Sequence, residues 1–287
     1  MSNFEQLFAN EILATALSVY VFDSNHPLPR PDEILLCTEK TSTDEVDIFW
    51  RRALFDNGQK IHCLVNADCL RFDVSEPAEK LLEDYLLESR CLDLKYRLIV
   101  ICSSENEYRS SLVTFLDKFK RTALPVKMDV IRNYLKDKLV CQANSINGIR
   151  PAASLDKERS TVRVVKSWRA GVGKSLFKRR REEELQNLNK AHVVSTSVSI
   201  PLHDKAVDTH NVVQRLLEHT NKPEELSARL FHIDVAHEVQ QGVDNLLFNL
   251  LILGYLSDDA GFVWRKNITD LYLVETLPLM IRSSAKK

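Results

Sequence analysis

Gly171, Gly173, Lys174 and Ser175 stand together in the stretch Ala170-Gly171-Val172-Gly173-Lys174-Ser175-Leu176, and their types and spacing suit phosphate chemistry. Glycines let successive backbone N–H groups converge on phosphate oxygens, and a helix opening on Lys-Ser adds unsatisfied donors and a favourable dipole. An ammonium at Lys174 reaches β- and γ-phosphate oxygens, and a hydroxyl at Ser175 ligates Mg²⁺. The full phosphate-loop pattern also has a glycine five residues before Gly173, where this chain has Trp168. The competing reading is an ordinary glycine turn with a surface lysine. A strand pattern before the motif and a helical pattern after it favour phosphate binding.

Such a loop needs a carboxylate at the end of an apolar strand, to hold Mg²⁺ beside the loop hydroxyl. Asp234 closes the run Leu230-Phe231-His232-Ile233 and fits that role. The position after the acid ordinarily holds a glutamate that polarises the attacking water, and here it is Val235. An aliphatic side chain neither accepts a proton nor orients a nucleophile. Glu238 and Glu275 are the candidate substitutes, with Glu238 more simply explained as a helix N-terminal acid that complements the dipole. His237-Glu238-Val239-Gln240-Gln241 lacks the second histidine of a zinc helix, so a zinc site is rejected.

The elements that must position these residues are legible in the hydrophobic pattern. Thr161, Val162, Val164 and Val165 form a β-branched run, read as a buried strand leading into the glycines. The helix after the loop carries Lys178, Arg179, Arg180 and Arg181, then Glu182, Glu183 and Glu184. That is a solvated face with i,i+4 opposite-charge pairs more simply than a nucleic-acid or import patch. Residues 193–200 read as a strand, Asp204 as the cap of a helix bearing Val207, Val212, Val213, Leu216 and Leu217, and 238–256 as a helix apolar almost all round. Leu271, Tyr272, Leu273 and Val274 form a further strand.

Upstream, residues 34–37, 61–65 and 98–102 read as strands between amphipathic helices. Ser42 and Glu45 form a capping box ahead of Val46, Phe49, Trp50, Ala53 and Leu54, and Ser75 is expected to cap the next helix with Pro77 in its first turn. Leu112, Phe115, Leu116 and Phe119 mark another helix, and Val130, Tyr134, Leu135 and Leu139 one more. Continuous apolar strands alternating with helices predict an α/β fold of parallel sheets flanked by helices. The expected organisation is a lead-in over 1–31, an α/β module without a P-loop over 32–140, a linker over 141–159 and a P-loop core over 160–287. Asn66 and Asp68 end a strand where ligands bind in such sheets, although a polar turn accounts for them more simply.

Composition excludes several classes. With 44% hydrophobic and 28% charged residues the chain of 287 is neither disordered nor membrane-embedded, and a net charge of -1 gives no case for nucleic acid. The apolar stretch 246–256 is too short to span a bilayer. Six cysteines without C-x-x-C pairing fit a reducing cytoplasmic setting.

The 168–175 motif, the 230–235 strand, and Leu35-Leu36-Cys37-Thr38 with Phe49-Trp50-Arg51-Arg52 resemble the mysterin family of giant E3 ubiquitin-protein ligases, which carry a dynein-like row of AAA+ units in one chain. The resemblance covers most of residues 30–276. It implies one AAA+ core over 160–276 that takes ATP and Mg²⁺, with nucleotide contacts from Ala170, Gly171, Val172, Gly173, Lys174, Ser175 and Leu176 and metal contacts from Ser175 and Asp234. Thr276, next to Glu275, falls where such proteins place a polar γ-phosphate sensor. Neighbouring AAA+ units of the same large chain are the implied partners and the source of any Arg finger. The chain is then a piece of a larger protein that stops before the last core strand and helical lid, with no zinc module for ligase chemistry. Because Val235 replaces the usual glutamate, ATP hydrolysis is expected to be slow or absent. The alternative is a structural scaffold of an AAA+ ring.

Overall fold

A computed structural model of the chain describes residues 11–21, 26–56, 58, 60–123, 127–142, 144–145, 150–155, 157–166, 173–188, 196–218, 228–236 and 241–276. Ala170, Gly171 and Val172 of the expected loop lie outside the described residues, as do Trp168, Arg169, His237, Glu238 and the Lys174 side chain. The chain groups into two compact units, one built on Asn10–Ile131 and the other on Arg132–Lys287.

The first unit opens with helix α1 (Glu11–Tyr20), which buries Leu13, Ala14, Ala16, Leu17 and Tyr20. Strands β1 (Ile34–Leu36), β2 (His62–Val65) and β3 (Leu98–Ile101) pair in that order, all parallel, joined by α2 (Thr43–Phe55) and α3 (Phe72–Cys91). The expected capping box forms: the Ser42 side chain accepts from Glu45 N and the Glu45 side chain from Ser42 N. The expected cap at Ser75 does not form. Val74 already belongs to the inward stripe with Ala78 and Leu82, so α3 starts earlier and holds Pro77 in its interior. Ser75 is buried instead and joins α3 to α4 (Ser111–Phe115) through the hydroxyls of Ser110 at 2.8 Å and Ser111 at 3.0 Å. Residues 117–119 continue past α4 as a 3₁₀ turn rather than as one helix. At the end of β2, Asn66 takes φ 59° and Asp68 accepts a hydrogen bond from Ser103 N, which ties the ends of β2 and β3 together as a polar turn does. Helix α5 (Met128–Lys138) follows.

The second unit holds a four-stranded parallel sheet. Its strands are β4 (Val162–Lys166), β5 (Thr196–Leu202), β6 (Arg229–Val235) and, after the antiparallel hairpin β7 (Tyr255–Ser257) and β8 (Val263–Arg265), β9 (Leu271–Thr276). The spatial order is β4-β9-β6-β5, so the last strand inserts between the first and the third. Helix α6 (Lys174–Leu188) joins β4 to β5 and α7 (Thr209–Glu218) joins β5 to β6. β5 runs on through Pro201, which an edge strand tolerates because no neighbour needs the missing N–H. The cap of α7 falls to Asp208, whose carboxylate accepts from Asn211 N, and not to Asp204. The long apolar helix expected over 238–256 is instead α8 (Val243–Leu247) and a π-helical turn at Phe248–Leu253, ended by Gly254 at φ 66°. From the 141–159 stretch, Ala152 and Ala153 are buried, and Ala152 packs with Leu185, Ala228, Leu230 and Leu271. No described helix is long and apolar enough to cross a membrane.

Candidate functional site

Alternation divides the second sheet into two faces. On one, Val198, Ile200, Phe231, Ile233, Tyr272 and Val274 are all buried and apolar. On the other lie Ser199, His232, Asp234 and Glu275, grouped by register: Ser199 pairs with His232, and Asp234 with Glu275. Glu275 is also in register with Val165 and Thr276 with Lys166, at the end of the strand that leads toward the glycines. The insertion of β9 therefore sets Asp234 and Glu275 side by side at the carboxyl edge of the sheet, where open α/β sheets bind ligands, and Thr276 follows in register with Val235.

Helix α6 covers this polar face and runs antiparallel to the strands. Near its end Leu185 packs on Leu230 and Leu271, at the strand starts. Lys178 donates from Nζ to Ser199 Oγ at 2.6 Å, higher on the sheet. From Leu185 back to Ser175 the helix climbs about 15 Å, and from Leu230 to Asp234 the strand climbs about 13 Å. The exposed Ser175 thus reaches the level of Asp234 and Glu275. Gly173 takes φ 90°, a conformation that L side chains rarely adopt, and its carbonyl accepts the first helical hydrogen bond, from Phe177 N at 2.9 Å. The N–H groups of Lys174, Ser175 and Leu176 have no intrahelical acceptor, which leaves a donor cluster at the carboxyl edge. The charged face of α6 pairs with itself, Lys178 with Glu182 at 3.3 Å with the expected i,i+4 spacing and Arg181 with Glu184 at 2.7 Å one residue closer, at i,i+3.

The two carboxylates at the edge differ. The Asp234 side chain is 41% exposed and lies 3.6 Å from His203 Nε2. That of Glu275 is only 12% exposed, and its Oε2 accepts from His232 Nε2 at 3.0 Å. His232 Nδ1 faces Ser199 Oγ at 3.5 Å. His232, Ser199 and Lys178 were not among the residues singled out from the sequence as site candidates. The one available signal was an imidazole interrupting an apolar strand two residues before Asp234, hence on the same face.

At the opposite end of the sheet, Arg229 and Asp270 form a bidentate pair at 2.9 and 3.0 Å, at the starts of β6 and β9. The guanidinium sits 4.9 Å from the Trp264 ring centre, and Trp264 Nε1 donates to Tyr272 OH at 3.0 Å. Burial pushes the Asp270 carboxyl up against the opposing pull of Arg229. Burial also drives the neighbouring Lys266 ammonium down to about 8, with only partial compensation from Asp270.

Sequence models described as the RNF213 AAA domain match residues 4–121 and 156–287. The human E3 ubiquitin-protein ligase RNF213 is 34% identical over 272 residues, 93% of this chain. The zebrafish (Danio rerio) E3 ubiquitin-protein ligase rnf213-beta is 33% identical over 282 residues, 96% of this chain, and the mouse RNF213 32% identical over 269 residues, 93% of it. The chain belongs to the RNF213 family. The resemblance read from the motifs is borne out, and most of each unit is matched by an AAA-type domain of that family. The chain spans about 5% of the length of each of these relatives, so it corresponds to a fragment of a far larger protein.

Proposed function

We propose that the second unit binds Mg-ATP, with phosphates held by the 171–175 loop and by Lys174, and Mg²⁺ held by Ser175 and Asp234. The observation that carries this reading is the register of β9, with Asp234 and Glu275 adjacent at the level of the α6 N-terminus. A helix N-terminus favours anionic phosphate, and an exposed carboxylate beside a first-turn hydroxyl suits a divalent cation. The donor set fits a P-loop AAA+ core, with Thr276, the last residue of β9, assigned the γ-phosphate sensor role. Hydrolysis is slow or absent, because Val235 cannot serve as a base and Glu275 is engaged by His232.

In the long chain that the 5% coverage implies, this segment would couple nucleotide state to neighbouring AAA+ units of a cytoplasmic E3 ubiquitin ligase. The proposed modules remain 32–140 without nucleotide and 160–287 with it, separated by 141–159. A second reading, a scaffold that holds ATP permanently, is favoured by the same withdrawn Glu275. Nucleotide retained through purification and never turned over would select it.

Lys174→Ala is the direct test. A charged hydrogen-bond contact contributes about 3 kcal/mol, so affinity for Mg-ATP should fall about 100-fold in calorimetric titration with the fold intact. An unchanged Kd would remove the phosphate-loop assignment.

A further inference from the structure

His232 is a buried imidazole in a strand whose other residues are mostly apolar, and it is only 6% exposed. Nothing in the phosphate chemistry asks for it. Its surroundings assign every proton in one direction. The Lys178 ammonium donates to Ser199 Oγ at 2.6 Å, the Ser199 hydroxyl can donate to Nδ1 at 3.5 Å, and Nε2–H donates to Glu275 Oε2 at 3.0 Å. An imidazole with its N–H on Nε2 satisfies all three bonds, because the Ser199 hydroxyl then takes one and gives one, while the ring takes one at Nδ1 and gives one at Nε2. The chain runs across three strands, from the second turn of α6 to the end of β9.

The direction of the last bond matters. Glu275 stands in register with Asp234, yet it bonds to the residue two positions nearer the start of β6. Its carboxylate is drawn back along the sheet, and its side chain is 12% exposed against 41% for Asp234. Of the two acids placed side by side at the carboxyl edge, one is presented and one is withheld.

We propose that His232 is a positioning residue that holds Glu275 away from the nucleotide edge and so keeps this site in a binding, non-cleaving state. The proposal rests on the Mg-ATP reading of the site. Turned outward, the Glu275 carboxylate would supply the base that Val235 lacks. It would take a proton from a water whose oxygen bonds the γ-phosphorus while the bridging P–O bond to ADP breaks, and the proton would pass to the departing products. Withheld, it leaves that water unactivated. The Lys178–Ser199 arm makes the restraint sensitive to the first turns of α6, the helix that opens on Lys174 and Ser175.

Single-turnover hydrolysis and calorimetric Mg-ATP affinity of the full chain test it together. His232→Phe fills the same core space without a donor, and it should raise the hydrolysis rate about tenfold or more at unchanged Kd. Adding Glu275→Gln to that variant should remove the gain. His232→Gln, whose amide still donates to Glu275, should stay within about twofold of the unaltered chain. Ser199→Ala, at an exposed position, unpins the ring without emptying the core and should give a smaller rise, about two- to fivefold. A folded, ATP-binding His232→Phe with no rise overturns the proposal, as does a rise that survives Glu275→Gln. If His232→Phe unfolds, the absence of any rise in Ser199→Ala overturns it equally. Failure of the unaltered chain to bind Mg-ATP overturns the phosphate reading and this one together, whereas a normal Kd without the rate changes overturns this one alone.

Discussion

Lys266 shows how far a single side chain can depart from its usual behaviour in this fold. Its Nζ is enclosed, 3.3 Å from Thr161 Oγ1, 3.4 Å from Leu251 O and 5.5 Å from the Tyr272 ring centre. No carboxylate among the described residues bonds it, and Asp270 acts on it only through its charge, so desolvation takes its pKa down to about 8 from the 10.5 of an ordinary lysine. The unfolded chain then binds more protons than the folded one between about pH 8 and pH 10.5, and stability from this group rises with pH across that window. Below pH 8 both states carry the charge, and the folded state bears a cost of about 3 kcal/mol. Lys266→Met, which keeps the packing and removes the charge, should be more stable than the unaltered chain at pH 7. That advantage should shrink as pH rises from 8 to 10. Urea midpoints of both proteins across this range give the answer, and a difference independent of pH would show that the ammonium is not desolvated.

The element that organises the second unit is β9, because it separates β4 from β6 and carries Glu275 to Asp234. A central parallel strand arriving last in the chain must be held in register against its neighbours, since a one-residue slip would turn Glu275 to the opposite face. The Arg229–Asp270 pair holds that register from the strand starts, with both side chains buried and Asn267 N donating to Asp270 Oδ2 at 2.8 Å. Removing one partner of such a pair leaves an uncompensated buried charge and costs about 3–5 kcal/mol. Asp270→Leu alone should therefore destabilise strongly, and Arg229→Met with Asp270→Leu should recover most of the loss. Denaturant unfolding of the single and double variants reads the coupling. Additive losses would mean that the pair contributes nothing jointly.

Across the whole molecule, two AAA-type units carry different equipment. The first has parallel strands and a polar turn at Asn66 and Asp68, but its β1 is followed by Thr38-Glu39-Lys40-Thr41, without glycine. Backbone N–H groups cannot gather around a phosphate there as they can at a glycine loop. Mg-ATP should thus slow amide exchange in the second unit alone, at the start of α6 and the ends of β6 and β9. Saturation at a hundredfold excess over Kd stabilises by about 2.7 kcal/mol, ample for a clear protection change. Protection appearing at the ends of β1, β2 or β3 would overturn this division of labour.

Local patterning determined a good deal. The 3.6-residue and continuous apolar periods gave the parallel α/β class, because burial on two faces leaves a direct trace in residue order. The Ser42–Glu45 cap and the charge pairs of α6 were legible for the same reason: their partners lie within one helical turn. Terminators that depend on packing were not legible. The run over 238–256 reads as one helix, yet Gly254 and the burial of Leu256 in a hairpin cut it short. Ser75 reads as a cap until two serines 35 and 36 residues away claim its hydroxyl. The site divides along the same line. Residue types and spacing pointed to Gly173, Lys174, Ser175, Asp234 and Glu275 as candidates. Only the tertiary structure decided that Glu275 stands beside Asp234 and is held by His232, 43 residues away in sequence, because strand order and register are properties of the sheet and not of any one strand.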